Sequence, residues 1–233
     1  MSAETRNPLP FPRAILFDLD GTLIDSVPDL AASVNELLES RGLPELSLPE
    51  VRSMIGNGVR KLVQRAFAAQ ASPLTEAELD EANREMVQIY SRQLTRLTSL
   101  LPGAQEAIAH LHINGVKLGV VTNKPQVATR EILLHFGLTD RLGAIVGGDA
   151  VTHMKPAPDA LFLALDQLGV EPSQALMVGD SITDVEAARA AGIPVVLIRG
   201  GYTKAPVEEL GADLICDSLK DLPAALNELR KAA

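Results

Sequence analysis

Six short apolar runs, separated by amphipathic stretches that stop at glycine, constrain this chain more than any other feature. The runs are Ile15-Leu16-Phe17, Lys117-Leu118-Gly119-Val120-Val121, Ala144-Ile145-Val146, Ala175-Leu176-Met177-Val178, Val195-Val196-Leu197-Ile198 and Leu214-Ile215-Cys216. Runs this short, apolar without strict alternation, suit strands buried on both faces of a parallel sheet. The stretches between them predict helices. Pro125 to Phe136 is followed by Gly137, Asp159 to Leu168 by Gly169, and Ile182 to Ala191 by Gly192. A glycine just past the last turn is the expected stop, because it takes the left-handed conformation at little cost. Strands alternating with helices predict a doubly wound, Rossmann-like α/β core with a parallel sheet.

Residues 26–100 break the alternation, and no strand is predicted there. Ser26 to Arg41 reads as a helix with Pro28 near its start and Gly42 past its end. Ser47-Leu48-Pro49-Glu50 and Thr75-Glu76-Ala77-Glu78 are capping boxes, the second opening a helix toward Thr95. Asn57-Gly58 is a turn, and Val59 to Ala69 is a further helix. The expected organisation is therefore an α/β core built from residues 1–24 and 103–233, with a small all-helical cap, residues 25–102, inserted after the first strand. Residues 1–12 read as a loose leader without the apolar centre of a signal peptide.

Composition narrows the partners. The 233 residues carry a formal net charge of −9, which disfavours nucleic acid and anionic membranes. No apolar stretch is long enough to span a bilayer. The single cysteine, Cys216, rules out a disulfide framework within the chain and suits a reducing cytoplasm.

The chemistry collects at strand ends. Asp18 and Asp20 follow the first run, and residues two apart on a strand point the same way. Two carboxylates side by side need a cation or a shared proton. Gly179-Asp180-Ser181-Ile182-Thr183-Asp184 follows another run and brings two more acids to the same edge. A cluster of hard oxygen ligands suits Mg²⁺. Thr122 and Asn123 follow the second run, and Lys155 lies in the loop after the third. A hydroxyl, a lysine, a metal and free main-chain N–H groups together make a phosphate cradle.

These four segments, Asp18-Leu19-Asp20-Gly21-Thr22, Thr122-Asn123, Lys155-Pro156 and Gly179-Asp180 with Asp184, resemble in kind and in order the four motifs of the haloacid dehalogenase-like phosphohydrolases. The resemblance spans roughly residues 14–202, and the helical insert is similar to that family's small cap. It implies a nucleophile at Asp18, ionised without help at neutral pH. It implies a general acid and base at Asp20, for which neighbouring acids are expected to raise the pKa. Mg²⁺ would be held by Asp18, the carbonyl of Asp20, Asp180 and Asp184. Gly21, Thr22, Thr122, Asn123 and Lys155 would hold or balance the phosphoryl group. The implied partner is a small phosphorylated metabolite, and the implied state a monomer or homodimer.

For the leaving group, the cap segment Gly56-Asn57-Gly58-Val59-Arg60-Lys61, with Arg65, carries three cations after a glycine-bounded turn. Asn57, Gly58, Arg60, Lys61 and Arg65 are the expected specificity residues for a second anionic group, against a solvated basic face as the alternative. Leu23-Ile24-Asp25-Ser26-Val27-Pro28-Asp29-Leu30, that turn and Gly200-Gly201-Tyr202 resemble bacterial phosphoglycolate phosphatases. That subfamily often reads Lys-Pro-His-Pro where this chain has Lys155-Pro156-Ala157-Pro158, and often has a basic residue at the place of Thr183. The expectation is hydrolysis of 2-phosphoglycolate. The alternatives are a broad sugar-phosphate or nucleotide phosphatase, a phosphonate hydrolase using Lys61 as a Schiff base, or a non-catalytic phosphate-binding protein.

Overall fold

The computed structural model describes residues 11–203 and 205–232, the side chains beyond Asn227 excepted. Apart from Phe11 and Pro12, the expected leader lies outside the described residues. The chain runs β1 (Ala14–Phe17), β2 (Ile24–Asp25), α1 (Val27–Glu39), α2 (Leu48–Arg52), α3 (Val59–Ala69), α4 (Glu76–Ser91), β3 (Ser99–Leu100), α5 (Ala104–Ile113), β4 (Lys117–Val121), α6 (Gln126–His135), β5 (Ala144–Val146), α7 (Asp159–Leu168), β6 (Ala175–Gly179), α8 (Ile182–Ala191), β7 (Val195–Ile198), β8 (Leu214–Cys216) and α9 (Leu222–Ala232).

The six apolar runs form one sheet in the order β5-β4-β1-β6-β7-β8, every pairing parallel. β1 sits at the centre. Its Ile15 and Phe17 join one buried cluster with residues of α5, α6 and α9, while Ala14 and Leu16 join a second with α7 and α8. Both faces are covered, which is why the strands are apolar at successive positions. The chain winds outward from β1 to β5 on one side, then returns to β6 and winds to β8. The strand order therefore reverses beside β1, and the crevice outside the carboxyl ends of β1 and β6 is the place where such sheets bind ligands.

The helices between β2 and β3 pack on one another, α1 against α2 and α4, and α3 against α4. Val51, Val63, Phe67, Leu79, Ala82 and Met86 are fully or nearly fully buried there and continue the cluster on the Ile15/Phe17 face of the sheet. Two expectations are corrected. A two-residue strand, Ser99–Leu100, pairs antiparallel with Ile24–Asp25, so the inserted segment is joined to the rest by a short ribbon. Two residues are too few for a periodic pattern to register. The helix expected to reach Thr95 ends at Ser91, where it gives way to a succession of turns.

A buried carboxylate fixes the return of the chain. Asp29 is fully buried in the first turn of α1 and accepts hydrogen bonds from the N–H groups of Leu97 and Thr98 and from Thr98 Oγ1, at 2.7–3.0 Å. It satisfies main-chain donors that the two-residue β3 leaves unpaired.

Candidate active site

Every charged group expected at the strand ends lies within the crevice beside β1. Asp18 continues β1, its N–H bonded to Val178 O, and its Oδ1 accepts the N–H of Leu19 at 2.7 Å. Asp180 continues β6. Its Oδ2 accepts the N–H of Tyr202 at 2.6 Å, and its Oδ1 accepts Thr22 Oγ1 at 3.3 Å. Asp184 closes the capping box of α8, its Oδ2 accepting the N–H groups of Asp180 and Ser181 and the hydroxyl of Ser181. Oxygens of Asp18, Asp180 and Asp184 lie within 4.8 Å of one another, all three residues buried.

Two glycines make that crowding possible. Gly21 has φ +85°, and a Cβ there would stand 2.5 Å from Asp180 Oδ2. A Cβ on Gly201 would stand 2.3 Å from both Cβ and Oδ2 of Asp180. A side chain at either position would drive the carboxylate out of place.

Lys155 balances the trio. Its ammonium meets Asp18 Oδ1 at 3.0 Å, Asp184 Oδ1 at 2.7 Å and Val121 O at 2.9 Å. Those contacts use all three donors of a lysine. Lys155 thus acts on a ligand through Asp18 and Asp184, and not by an N–H left free. Burial resists its charge, but Asp18 and Asp184 hold its pKa above the ordinary lysine value. Burial pushes the Asp18 carboxyl up to about 6, Lys155 pulling it down and Asp184 pushing it further up. Asp180 is raised well above the ordinary value, by burial first and then by Asp184 and Asp18. Three carboxylates against one ammonium leave excess negative charge in a buried place, with oxygen the only ligand atom. That donor set fits a hard divalent cation.

Asp20 is placed differently from the expectation. Its carboxylate is outside the trio and is held by Lys124, whose Nζ lies 2.9 and 3.0 Å from Oδ1 and Oδ2, and by Ser26 Oγ at 2.6 Å. The acids that crowd one another are Asp18, Asp180 and Asp184. Asp18 directly follows β1 and lies beside Asp184 of α8, whereas Asp20 lies in the following turn.

Other expected residues also have different partners. Thr22 is fully buried and its hydroxyl serves Asp180. Thr122 lines the cavity and accepts the N–H of Lys124 at 3.3 Å. Both donors of the Asn123 amide are taken, by Gly56 O at 3.0 Å and Lys155 O at 2.9 Å, so this side chain fastens the cap's glycine turn to the Lys155 loop. Arg60 is exposed and bonded to Glu76 and Asp80 on α4, and Lys61 to Gln64. Arg65 clamps the turn, donating to Met54 O at 2.6 Å and Asn57 Oδ1 at 2.7 Å. Of the five cap residues expected to meet substrate, only Gly58 lines the cavity.

That cavity, of about 60 Å³, has Asp18, Asp20, Thr122, Asn123, Lys124 and Asp180 on the core side. Leu30, Ile55, Val59 and Leu62, with Gly56 and Gly58, form the opposite wall. Sequence reading missed Lys124, Ser26 and Tyr202. Ser26 is the N-cap residue of α1 but makes no side-chain capping bond. Tyr202 gives its N–H to Asp180, while its hydroxyl accepts the N–H of Ser26 and reaches Asp25 Oδ1, both at 2.9 Å. Arg52 of α2 stacks over the Tyr202 ring at 5.0 Å and bonds Asp25 at 3.1 Å. The sequence signals for Tyr202 are its place after Gly200-Gly201 beyond a strand end and the resemblance of that triplet to phosphoglycolate phosphatases.

A doubly wound sheet that gathers an acid trio, a buried lysine and a small cavity at its switch point defines a hydrolase of the α/β class. The chain belongs to the haloacid dehalogenase-like hydrolase family, whose model matches residues 15–198. It is 41% identical over 215 residues to the phosphoglycolate phosphatase of Rhodospirillum rubrum, covering 91% of this chain and 89% of the relative. It is 42% identical over 221 residues to the plasmid phosphoglycolate phosphatase of Cupriavidus necator, covering 94% and 95%. Among solved structures, a predicted phosphoglycolate phosphatase from Haemophilus somnus superposes with a TM-score of 0.87 at 35% identity, covering 93% of this chain and 99% of that one. CbbY from Rhodobacter sphaeroides, solved in complex with phosphate, gives 0.80 at 27% identity over 93% and 99%.

Proposed function

We propose that this enzyme hydrolyses a small phosphomonoester, 2-phosphoglycolate, to glycolate and phosphate, with residues 25–102 acting as a cap over the site. The observation that carries this reading is Asp18. It directly follows the central strand at the switch point, lines the cavity, and is paired with a lysine whose donors are all used. A carboxylate so placed is a nucleophile for phosphorus.

In the first step an Asp18 oxygen bonds to phosphorus and the bond to the glycolate oxygen breaks. Asp20 gives its proton to that oxygen. In the second step Asp20 takes a proton from water as the water oxygen bonds to phosphorus, and Asp18 leaves as a free carboxylate. Mg²⁺ held by Asp18, Asp180, Asp184 and the main-chain carbonyl of Asp20 would supply charge stabilisation for the phosphoryl oxygens. Thr122 offers a hydroxyl from the core wall, and Lys155 keeps Asp18 oriented. The smallness of the cavity favours a two-carbon leaving group over a sugar or nucleoside. The charge balance and the single buried cysteine, Cys216, fit action in the cytoplasm; no helix among the described residues is long and apolar enough to cross a membrane.

The test is phosphate release from a panel of small phosphomonoesters, with Mg²⁺ and with EDTA, alongside Asp20→Asn given an activated aryl phosphate, whose leaving group needs no proton, and followed by mass spectrometry. A kcat/KM for 2-phosphoglycolate well above the others, lost in EDTA, and phosphorylated Asp18 trapped in the variant are expected. A flat substrate profile would leave the broad sugar-phosphate reading in its place. No phosphoryl adduct on Asp18 under any condition would defeat the covalent mechanism.

A further inference from the structure

A substrate with a phosphate at one end and a carboxylate at the other needs a partner for the second charge. The cap wall of the cavity offers only apolar side chains and glycines, and Arg60, Lys61 and Arg65 are engaged away from it. Among the described residues that line the cavity, Lys124 is the one side-chain cation. It is 5% exposed. Two of its three donors serve the oxygens of Asp20, and the ring of Tyr90, from α4, lies 4.9 Å from Nζ. With two donors committed to Asp20 and the Tyr90 ring beside it, the buried ammonium meets a second anion best by giving up its bonds to Asp20.

We propose that Lys124 is the specificity-determining cation of this enzyme, taking the carboxylate at the far end of the substrate in exchange for Asp20, and that the exchange releases Asp20 for proton transfer. This rests on the phosphomonoesterase reading above.

Three features support the exchange. Asp20 has a second partner, Ser26 Oγ at 2.6 Å, so it stays anchored beside the cavity when Lys124 lets go. The Tyr90 ring holds the ammonium in place from the cap side, so the cation does not follow Asp20. Lys124 also follows directly on Thr122 and Asn123, which puts it within one short loop of the core wall that would face the phosphate. A substrate lacking the far charge binds without displacing Asp20, and the acid and base stays held on Lys124. The anionic tail therefore contributes to turnover as well as to binding, as expected when remote binding energy is used at the reacting centre.

The experiment compares 2-phosphoglycolate with 2-hydroxyethyl phosphate, which has the same two-carbon length without the carboxylate, using the full chain with Mg²⁺. The wild-type enzyme is expected to favour 2-phosphoglycolate in kcat as well as in KM. In Lys124→Met, kcat/KM for 2-phosphoglycolate is expected to fall about 10- to 100-fold more than for the neutral ester, the range set by losing hydrogen bonds to a charged group. Lys124→Arg, which keeps the cation, should retain most of the preference. Lys124→Gln replaces Lys124→Met if the latter does not fold. Equal losses on both substrates, or a preference that survives removal of the cation, would overturn the assignment while leaving the phosphatase reading intact. A wild-type enzyme indifferent to the carboxylate would overturn both the phosphoglycolate reading and this one.

Discussion

Replacing Asp18 with asparagine is expected to stabilise the metal-free protein while abolishing its chemistry. Asp18 is 8% exposed, and burial pushes its carboxyl from the ordinary 3.8 up to about 6. Between those values the folded chain holds a proton that the unfolded chain has released. The contribution of this group to stability is therefore full below pH 3.8 and is lost as the pH rises through about 6. At about 1.4 kcal/mol per pH unit the loss comes to ~3 kcal/mol by pH 7. Asp180 shares the same crowding, so ~1–3 kcal/mol is assigned to this one substitution. An amide keeps an acceptor for the Leu19 N–H and removes the charge. The assay is urea and thermal unfolding in EDTA, variant against wild type, from pH 4 to pH 7. The variant should gain on the wild type as the pH rises, with a Tm higher by roughly 2–4 °C per kcal/mol at pH 7. Saturating Mg²⁺ should reverse the order, because it binds the folded wild type and adds about 2.7 kcal/mol at a hundred times its Kd. A variant less stable than wild type at pH 7 in EDTA, or a difference that does not move with pH, would refute the reasoning.

The remaining predictions concern the supports of the site. Arg65→Ala should raise KM several-fold, because the turn at Asn57 loses its clamp, whereas Arg60→Ala should leave kcat/KM within about twofold since its partners Glu76 and Asp80 are on the exposed side of α4; steady-state kinetics on both decide it. Gly201→Ala should weaken Mg²⁺ affinity, measured by calorimetry, about tenfold or more, because its Cβ would fall 2.3 Å from Asp180. Asp29→Ala should cost ~2–4 kcal/mol in urea unfolding by stripping Leu97 and Thr98 of their acceptor; a loss under 1 kcal/mol would show that water replaces it.

Much of the fold was legible because its signals are local. Apolar runs without alternation mark strands covered on both faces, and Val59–Ala69, Asp159–Leu168 and Ile182–Ala191 begin and end in the structure where capping and glycine placed them. The β2–β3 ribbon was not legible, since a two-residue pairing between Ile24–Asp25 and Ser99–Leu100 depends on where the rest of the chain brings its partners. The relative surroundings of Asp18 and Asp20 were hidden for a similar reason. Sequence shows two acids two positions apart, but the partner of each is a lysine more than a hundred positions away, Lys155 for one and Lys124 for the other.

The sequence by itself determined the class of sheet, the inserted helical segment and the acids at the strand ends, because hydrophobic period and capping act over a few residues. Tertiary structure decided which of those acids crowd together, that the cap's cations Arg60 and Lys61 turn away from the cavity, and that Lys124 is the cation facing it. The first and last of these depend on which buried charges can be paired once the strand ends converge, because burial makes an unpaired charge too costly to leave to a local rule.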